Sequence, residues 1–284
     1  MRRLQFSTRS DWEVLAWMLF MHLGALAALF TFNWKAFFVC LFLWWLTGGI
    51  GICLGYHRYF THRSFDTPRW IQYLLAFFGT MAGEAGPIKW VAAHRYHHTY
   101  SDDAERDPHS PRNGFWWSHM SWLFNREEFL AKYDSYKKYA PDMAKDPVIR
   151  FLDKYHYLSI FMLAALLYAL GGWPFIAWGI FLRAILVYHS TWLVNSASHV
   201  WGYRSFKTED LSRNNWWVAL LTFGEGWHNN HHAFQRSARH GFRWWEVDAT
   251  YITIRIMGLL GLAHHIQVPV LNDATPGLTA PRRR

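Results

Sequence analysis

The sequence predicts an all-α protein built across a membrane. Three observations predict it: long uncharged apolar runs, a one-sided distribution of Lys and Arg, and histidines clustered at the ends of those runs. The 284 residues are 52% hydrophobic and 19% aromatic, with Trp alone occurring 19 times. That length and composition suit a single large domain over residues 1–284.

The first run, Val14 to Phe32, is interrupted by His22, and the second, Ala36 to Tyr56, carries no charge. Tyr155 to Gly172 and Pro174 to Ser198 follow, each close to the ~20 residues that a membrane-spanning helix needs. Four spans are therefore predicted, at about 14–32, 36–56, 155–172 and 174–198. Trp70 to Gly83 is apolar but shorter, which predicts an interfacial or re-entrant helix. Core helices of a soluble protein fit poorly, because uncharged runs of this length are rare in water-soluble folds. Arg2 and Arg3 precede the first run as in a signal peptide, but its apolar stretch exceeds the usual ~7 to 15 residues and reads as an anchor.

Lys and Arg set the orientation. The connection "NWK" offers only Lys35 and "GGWP" offers none, so nearly all the rest lie in the N-terminus and the two long polar segments. By the positive-inside rule both termini are cytoplasmic, with a cytosolic cap from 57–154 and 199–270 and a disordered tail over 271–284. The net charge of +9 then marks topology, and an anionic substrate headgroup, before nucleic acid, for which no motif is present. The two cysteines, Cys40 and Cys53, cannot supply an iron–sulfur cluster. There is no internal repeat.

Chemistry concentrates in the histidines. "FGEGWHNNHHAF" holds His228, His231 and His232, and "HRYHH" repeats the spacing with His94, His97 and His98. Residues three and four apart share a helix face, so each trio is expected to point one way. "HRYFTH" places His57 and His62 where the second span emerges. Five apart, they would diverge on a continuous α-helix, so the span is expected to end or bend between them. "NSASH" places Asn195 and His199 at the end of the fourth span, with Thr191 on the same stripe. The chain crosses the membrane twice between His57 and His199, so all four groups end on one face.

Nine converging imidazoles exceed what one metal holds. A zinc takes four ligands, usually with Cys or carboxylate among them, whereas imidazole also suits iron, and nine ligands divide sensibly over two metals. Asp102, Asp103, Asp107 and Glu225 lie close to these motifs and are either acceptors for the second ring N–H of ligating histidines or ordinary solvated carboxylates. His22, His119, His156, His189, His240, His264 and His265 lack the spacing and read as structural or solvent-facing, with His109 of "DPHSP" in between. Arg183, the one midspan charge, reads as an internal partner for a carboxylate or carbonyl, snorkelling being the alternative.

With these motifs the chain resembles the membrane fatty acid desaturases, specifically the acyl-CoA and acyl-lipid Δ9 group related to stearoyl-CoA desaturase. The match runs from Tyr56 to roughly Phe242 and includes "HRYFTHRSF", "WVAAHRYHHTYSDDAERDPHSPRNGFWWSHMSW", "TWLVNSASH" and "FGEGWHNNHHAF", in the family's order and spacing. The resemblance implies a mushroom-like helical fold, four transmembrane helices under a cytosolic cap. It implies two irons held by His57, His62, His94, His97, His98, His199, His228, His231 and His232, with Asn195 reaching one iron through water. It also implies a narrow bent acyl tunnel bordered by Trp90, Thr191 and Trp192, with Glu84 standing where animal members carry glutamine near the bend.

The implied reaction is O₂-dependent removal of two hydrogens from a saturated acyl chain, on CoA or in a lipid, to give a cis double bond at Δ9, with O₂ reduced to water. An unactivated methylene has no acidic proton, so side-chain acid–base catalysis cannot start it and an oxidising metal centre is needed. The chain carries no glycine-rich dinucleotide fingerprint and no cysteine cluster. Electrons are therefore expected from an external ferredoxin, rubredoxin or cytochrome b5 with its reductase, docked on the basic cap. Zinc is an expected replacement for iron in purified protein. The alternatives are a related hydroxylase or ketolase, or a non-enzymatic membrane metal-binding protein; transport would call for polar ligands near the bilayer midplane.

Overall fold

The computed structural model describes residues 9–124 and 136–270; the predicted tail over 271–284 lies outside them. Among the described residues the regular elements are all helical, and bridging between extended segments is limited to isolated pairs. Helix α1 (Arg9–Leu26) runs into a 3₁₀ turn, Ala27–Phe30. Asn33 then caps α2, its side chain accepting from the Ala36 N–H at 2.9 Å. Helix α2 comprises Trp34–Trp44 and a π-wound continuation, Trp45–Thr61. After it come α3 (Arg69–Thr80), α4 (Pro87–Tyr100), the short α5 (Phe115–His119), α6 (Pro147–Lys154) and α7 (His156–Ile176). Helix α8 starts π-wound over Ala177–Leu182 and continues as Arg183–Asn195. The last elements are α9 (Ala197–Val200), α10 (Trp216–Leu221), α11 (His228–Ala233) and α12 (Ala249–Leu259).

Among the described residues three helices are long and apolar enough to cross a membrane: Trp12–Phe30, Trp34–Thr61 and His156–Val200. They turn large apolar side chains outward, among them Leu23, Phe30, Phe161 and Leu170, which marks membrane association. The third contains both of the later predicted spans. Its 45 residues would extend about 68 Å if straight, roughly twice a ~30 Å hydrocarbon core. It is not straight. Gly172 adopts φ 64°, ψ −151°, and the chain folds back so that the Leu167 side chain lies 2.7 Å from where a Cβ on Gly179 would be.

The winding of α2 shows why His57 and His62 meet. The helix ends between them, at Thr61, without a bend; it is π-wound to that point, and the His62 N–H closes on the His57 carbonyl at 3.2 Å, an i→i+5 bond. Wider winding brings residues five apart onto one face. Glycines in this stretch also admit α3: a Cβ on Gly51 would stand 2.6 Å from the Gly79 backbone nitrogen, and one on Gly79 would strike the Tyr56 ring. Helix α3 buries Ile71, Leu75 and Ala76 and leaves Trp70 and Leu74 exposed.

Two buried arginines tie these pieces together. Arg183 donates to the Met81 carbonyl (2.8 Å) and the Gly179 carbonyl (3.1 Å), so it takes internal carbonyl partners and does not snorkel. Arg58, fully buried on α2, donates Nε to Glu225 (2.9 Å) and Nη1 to the Ala238 carbonyl (2.7 Å), and meets both oxygens of Asp248 at 2.9 Å. Asp248 in turn caps α12, accepting from the Tyr251 N–H. Arg58→Met strands two buried carboxylates. It is expected to destabilise the protein by about 3–5 kcal/mol, the usual result of removing one partner of a buried ion pair. Thermal unfolding of the purified variant in detergent measures this, and an unchanged midpoint would contradict the account.

Candidate metal centre

The nine histidines picked out by their spacing are brought together in two adjacent groups. His57, His62, His94, His98 and His231 form one, and His97, His199, His228 and His232 the other; within each, the nearest ring nitrogens lie within 4.8 Å of one another. All are buried except His94, which is partly so. Each trio divides between the groups. His94 and His98, one turn apart on α4, face the first group while His97 faces the second. On α11, His228 and His232 share the second and His231 joins the first. The expected single face is thus a ridge between two sites, because a side chain three residues along is rotated about 60° from residue i and about 100° from residue i+4.

The nitrogens converge. In the first group Nε2 of His231 lies 3.2 Å from Nε2 of His57 and 3.1 Å from Nε2 of His98, which is 3.0 Å from Nε2 of His94. In the second, Nε2 of His232 and His228 are 3.0 Å apart. Carboxylates stand behind several rings. Asp107 meets Nδ1 of His97 at 2.9 Å, Asp102 meets Nδ1 of His199 at 3.0 Å, Asp210 meets Nδ1 of His232 at 2.9 Å and Glu225 meets Nδ1 of His57 at 2.7 Å. A neutral ring that gives its one N–H to a carboxylate presents a bare lone pair at Nε2. Lone pairs aimed at one another across 3 Å repel unless a cation lies between them. Ligands at ~2.1 Å from one ion and at right angles to each other are about 3 Å apart, so the spacing fits shared metals. Nε2 of His62 and of His199, buried and without a hydrogen-bond partner among the described residues, fit the same way.

Electrostatics agree. Burial, then the neighbouring imidazoles, hold His62, His94, His98, His228 and His231 well below the ordinary imidazole range, so these rings are neutral and ligand-ready. At His97 burial acts downward too, but Asp107 outweighs it and the value is raised.

Asp102, Asp107 and Glu225 therefore stand behind rings, while Asp103 pairs with Arg106 on the surface. Two residues that the motifs did not single out also belong here. Asp210 had no nearby histidine motif to flag it. His240, read as structural or solvent-facing, is buried with Nδ1 3.0 Å from Glu225. His109 is buried 3.5 Å from Asp107, and burial lowers it to about 4. His156 bonds the Asp153 carbonyl, and exposed His265 pairs with Asp66.

A cavity of about 530 Å³ of space, open in part, meets both groups. His57, His94, His228 and Asn195 line it beside an apolar wall that includes Trp44, Ile52, Val187 and Phe223. Trp90 and Thr191 line it as well. Glu84 lies behind them, bonded to Trp90 Nε1 at 3.0 Å, and burial raises its carboxyl to about 7. Trp192 is not part of the lining; it stacks on Tyr188 at 5.6 Å and meets His189 edge-on.

The chain matches the family model described as "Fatty acid desaturase" over residues 32–255. It is 51% identical over 260 residues to an sn-1 stearoyl-lipid 9-desaturase of Anabaena variabilis, covering 91% of this chain and 94% of the relative. It is 49% identical to an sn-2 palmitoyl-lipid 9-desaturase of Nostoc sp. (strain 36), covering 90% of each. It is also 48% identical to a chloroplastic palmitoyl-monogalactosyldiacylglycerol delta-7 desaturase of Arabidopsis thaliana, covering 91% of this chain and 69% of the relative.

Two outcomes follow from the geometry. The depressed rings bind fewer protons folded than unfolded once pH drops below the ordinary value of about 6.5, so metal-stripped protein should lose stability progressively as pH falls beneath it. Unfolding midpoints across pH check this, and a flat profile would sink it. Asp210→Asn removes the charged acceptor behind His232 and should weaken metal binding at the second group about 10–100-fold, measured by competition with a chelator.

Proposed function

The chain belongs to the fatty acid desaturase family, and from that premise we propose that this acyl desaturase is a Δ9 enzyme working on acyl chains of membrane glycerolipids with a centre of two irons. The observation that carries the proposal is one cavity whose walls are apolar at one part and formed at another by Asn195 and by His57, His94 and His228 of the two histidine groups. The names of the cyanobacterial relatives, both 9-desaturases of acyl-lipids, support the position and the carrier.

His57, His62, His94, His98 and His231 would hold one iron, and His97, His199, His228 and His232 the other, with Asn195 contributing through water. When bound, the pair supplies the oxidising power that O₂-dependent removal of two hydrogens from unactivated methylenes requires. The balance is simple: the saturated chain, O₂, two electrons and two protons give the olefin and two waters. The chain's own residues supply position. Trp44, Ile52, Val187 and Phe223 replace water around the alkyl chain. Trp90, its ring 5.1 Å from that of His94 and nearly parallel to it, sets the width of the cavity beside the first group. Glu84 fixes Trp90 through a hydrogen bond, so one pair of carbons is presented in register. Asp102, Asp107, Asp210 and Glu225 hold Nδ1–H of their partner rings and so keep Nε2 free to bind.

We place the two arms of the α7–α8 hairpin as separate crossings, giving four spans with both termini and the histidine groups on the cytoplasmic side. The Lys and Arg distribution supports this. An external redox protein is the electron source, and a single domain carries all of it. Expression in a host making saturated glycerolipids, with mass spectrometry of double-bond position and of the sn-position modified, tests the proposal. A cis Δ9 product in intact lipid is expected. A Δ7 product would correct the position, a hydroxylated chain the reaction, and activity on acyl-CoA alone the carrier.

A further inference from the structure

Outside the two groups, three more histidines are joined to one another. His22 of α1 faces His189 of α8, Nε2 to Nε2 at 3.1 Å, and Nδ1 of His189 faces Nε2 of His119 at 3.0 Å. Nδ1 of His119 then reaches Ser196 Oγ at 3.0 Å. Ser196 is no ordinary helical residue. At φ −99°, ψ −70° it is the break between α8 and α9, and it makes a doubled contact with Trp192, whose carbonyl accepts both its N–H (3.0 Å) and its hydroxyl (2.8 Å). A hydroxyl that bonds the carbonyl one turn back competes with the helix and bends it.

The two sides of this break carry functional groups. Asn195, immediately before it, lines the cavity, and His199, three residues after it, belongs to the second histidine group. The His199 N–H donates to the Ser196 carbonyl at 3.1 Å, which links the break to that ring's own backbone. The Ser196 oxygen thus meets both the Trp192 carbonyl, at 2.8 Å, and His119 Nδ1, at 3.0 Å, so the ring and the break are joined through one hydroxyl. His119 is itself fixed: it is buried, its other nitrogen is held by His189, and its ring lies between Phe115, parallel at 5.7 Å, and Trp192, edge-on at 5.9 Å.

We infer that His119 is a positioning residue for the second histidine group, acting through Ser196 to set the break that aims Asn195 and His199. The inference rests on the proposal that this group holds a metal. It assigns His119 no contact with substrate or metal. Its effect is confined to one of the two sites, because the first group draws no member from the segment that Ser196 bends.

The test is metal content and affinity by chelator competition on purified protein, alongside the unfolding midpoint. Wild type should hold two metals per chain; if it does not, the metal-centre proposal fails before this one is reached. His119→Leu should retain the first metal and bind the second about tenfold or more weakly. His119→Asn, whose amide nitrogen takes the place of Nδ1, should restore the second metal, and His119→Gln, whose nitrogen takes the place of Nε2, should not. If His119→Leu does not fold, the contrast between Asn and Gln decides. Retention of both metals by the Leu and Gln variants would overturn the inference. Equal weakening of both metals with a lowered midpoint in every variant would overturn it too, by reducing His119 to a structural role.

Discussion

A guanidinium sealed from water has to be answered by charge, and the answer to Arg58 organises much of this molecule. It stands on α2, a long apolar helix, yet its partners Glu225, Asp248 and the Ala238 carbonyl all come from the last sixty residues. Desolvating it alone would cost several kcal/mol, so the C-terminal segment is held where its two carboxylates can reach. Glu225 then does more than neutralise: its second oxygen faces Nδ1 of both His57 and His240. The ion network that anchors the segment also fixes the tautomer of a histidine in the first group.

The same economy recurs behind the second group. Asp107 accepts from the Asp102 backbone N–H while holding His97, and Asp102 accepts from Leu211 N–H while holding His199. One tight turn after α4, with Asp102 in the left-handed region at φ 62°, thus supplies two carboxylates to two rings from different helices. Short turns suit this purpose, since their backbone is fixed by the very hydrogen bonds the carboxylates accept. A Cβ-free residue is needed at Gly224, next to Glu225, where φ is 117° and a side chain would collide with Asp248.

The apolar half of the molecule does the opposite work, bringing backbones close so that the polar half can be aimed. Gly51 against Gly79 lets α3 lie on α2, Gly179 admits Leu167, and Arg183 meets the Met81 carbonyl at the end of α3. Membrane packing commonly relies on small residues of this kind. Here it sets the entry of α4, and with it the height of His94, His97 and His98.

The sequence by itself determined the helical class, the apolar runs and the identity of the nine clustered histidines, because hydrophobic length and i, i+3, i+4 spacing are local properties written in consecutive residues. It also offered Asp102, Asp103, Asp107 and Glu225 as acceptors or solvated carboxylates; Asp107 holds a ring of the motif beside it, while Asp102 and Glu225 hold rings of other motifs, which only folding brings near. It left undecided which ring joins which group, and only tertiary structure divides each trio, since the choice depends on the elements facing either side of α4 and α11. Winding was equally hidden: a π turn and an α turn are the same letters, so His57 and His62 looked divergent. Asp210, His240 and the His22–His189–His119 line escaped because their partners lie 22, 15, 167 and 70 residues away, and nothing in a linear chain marks a contact that folding alone creates.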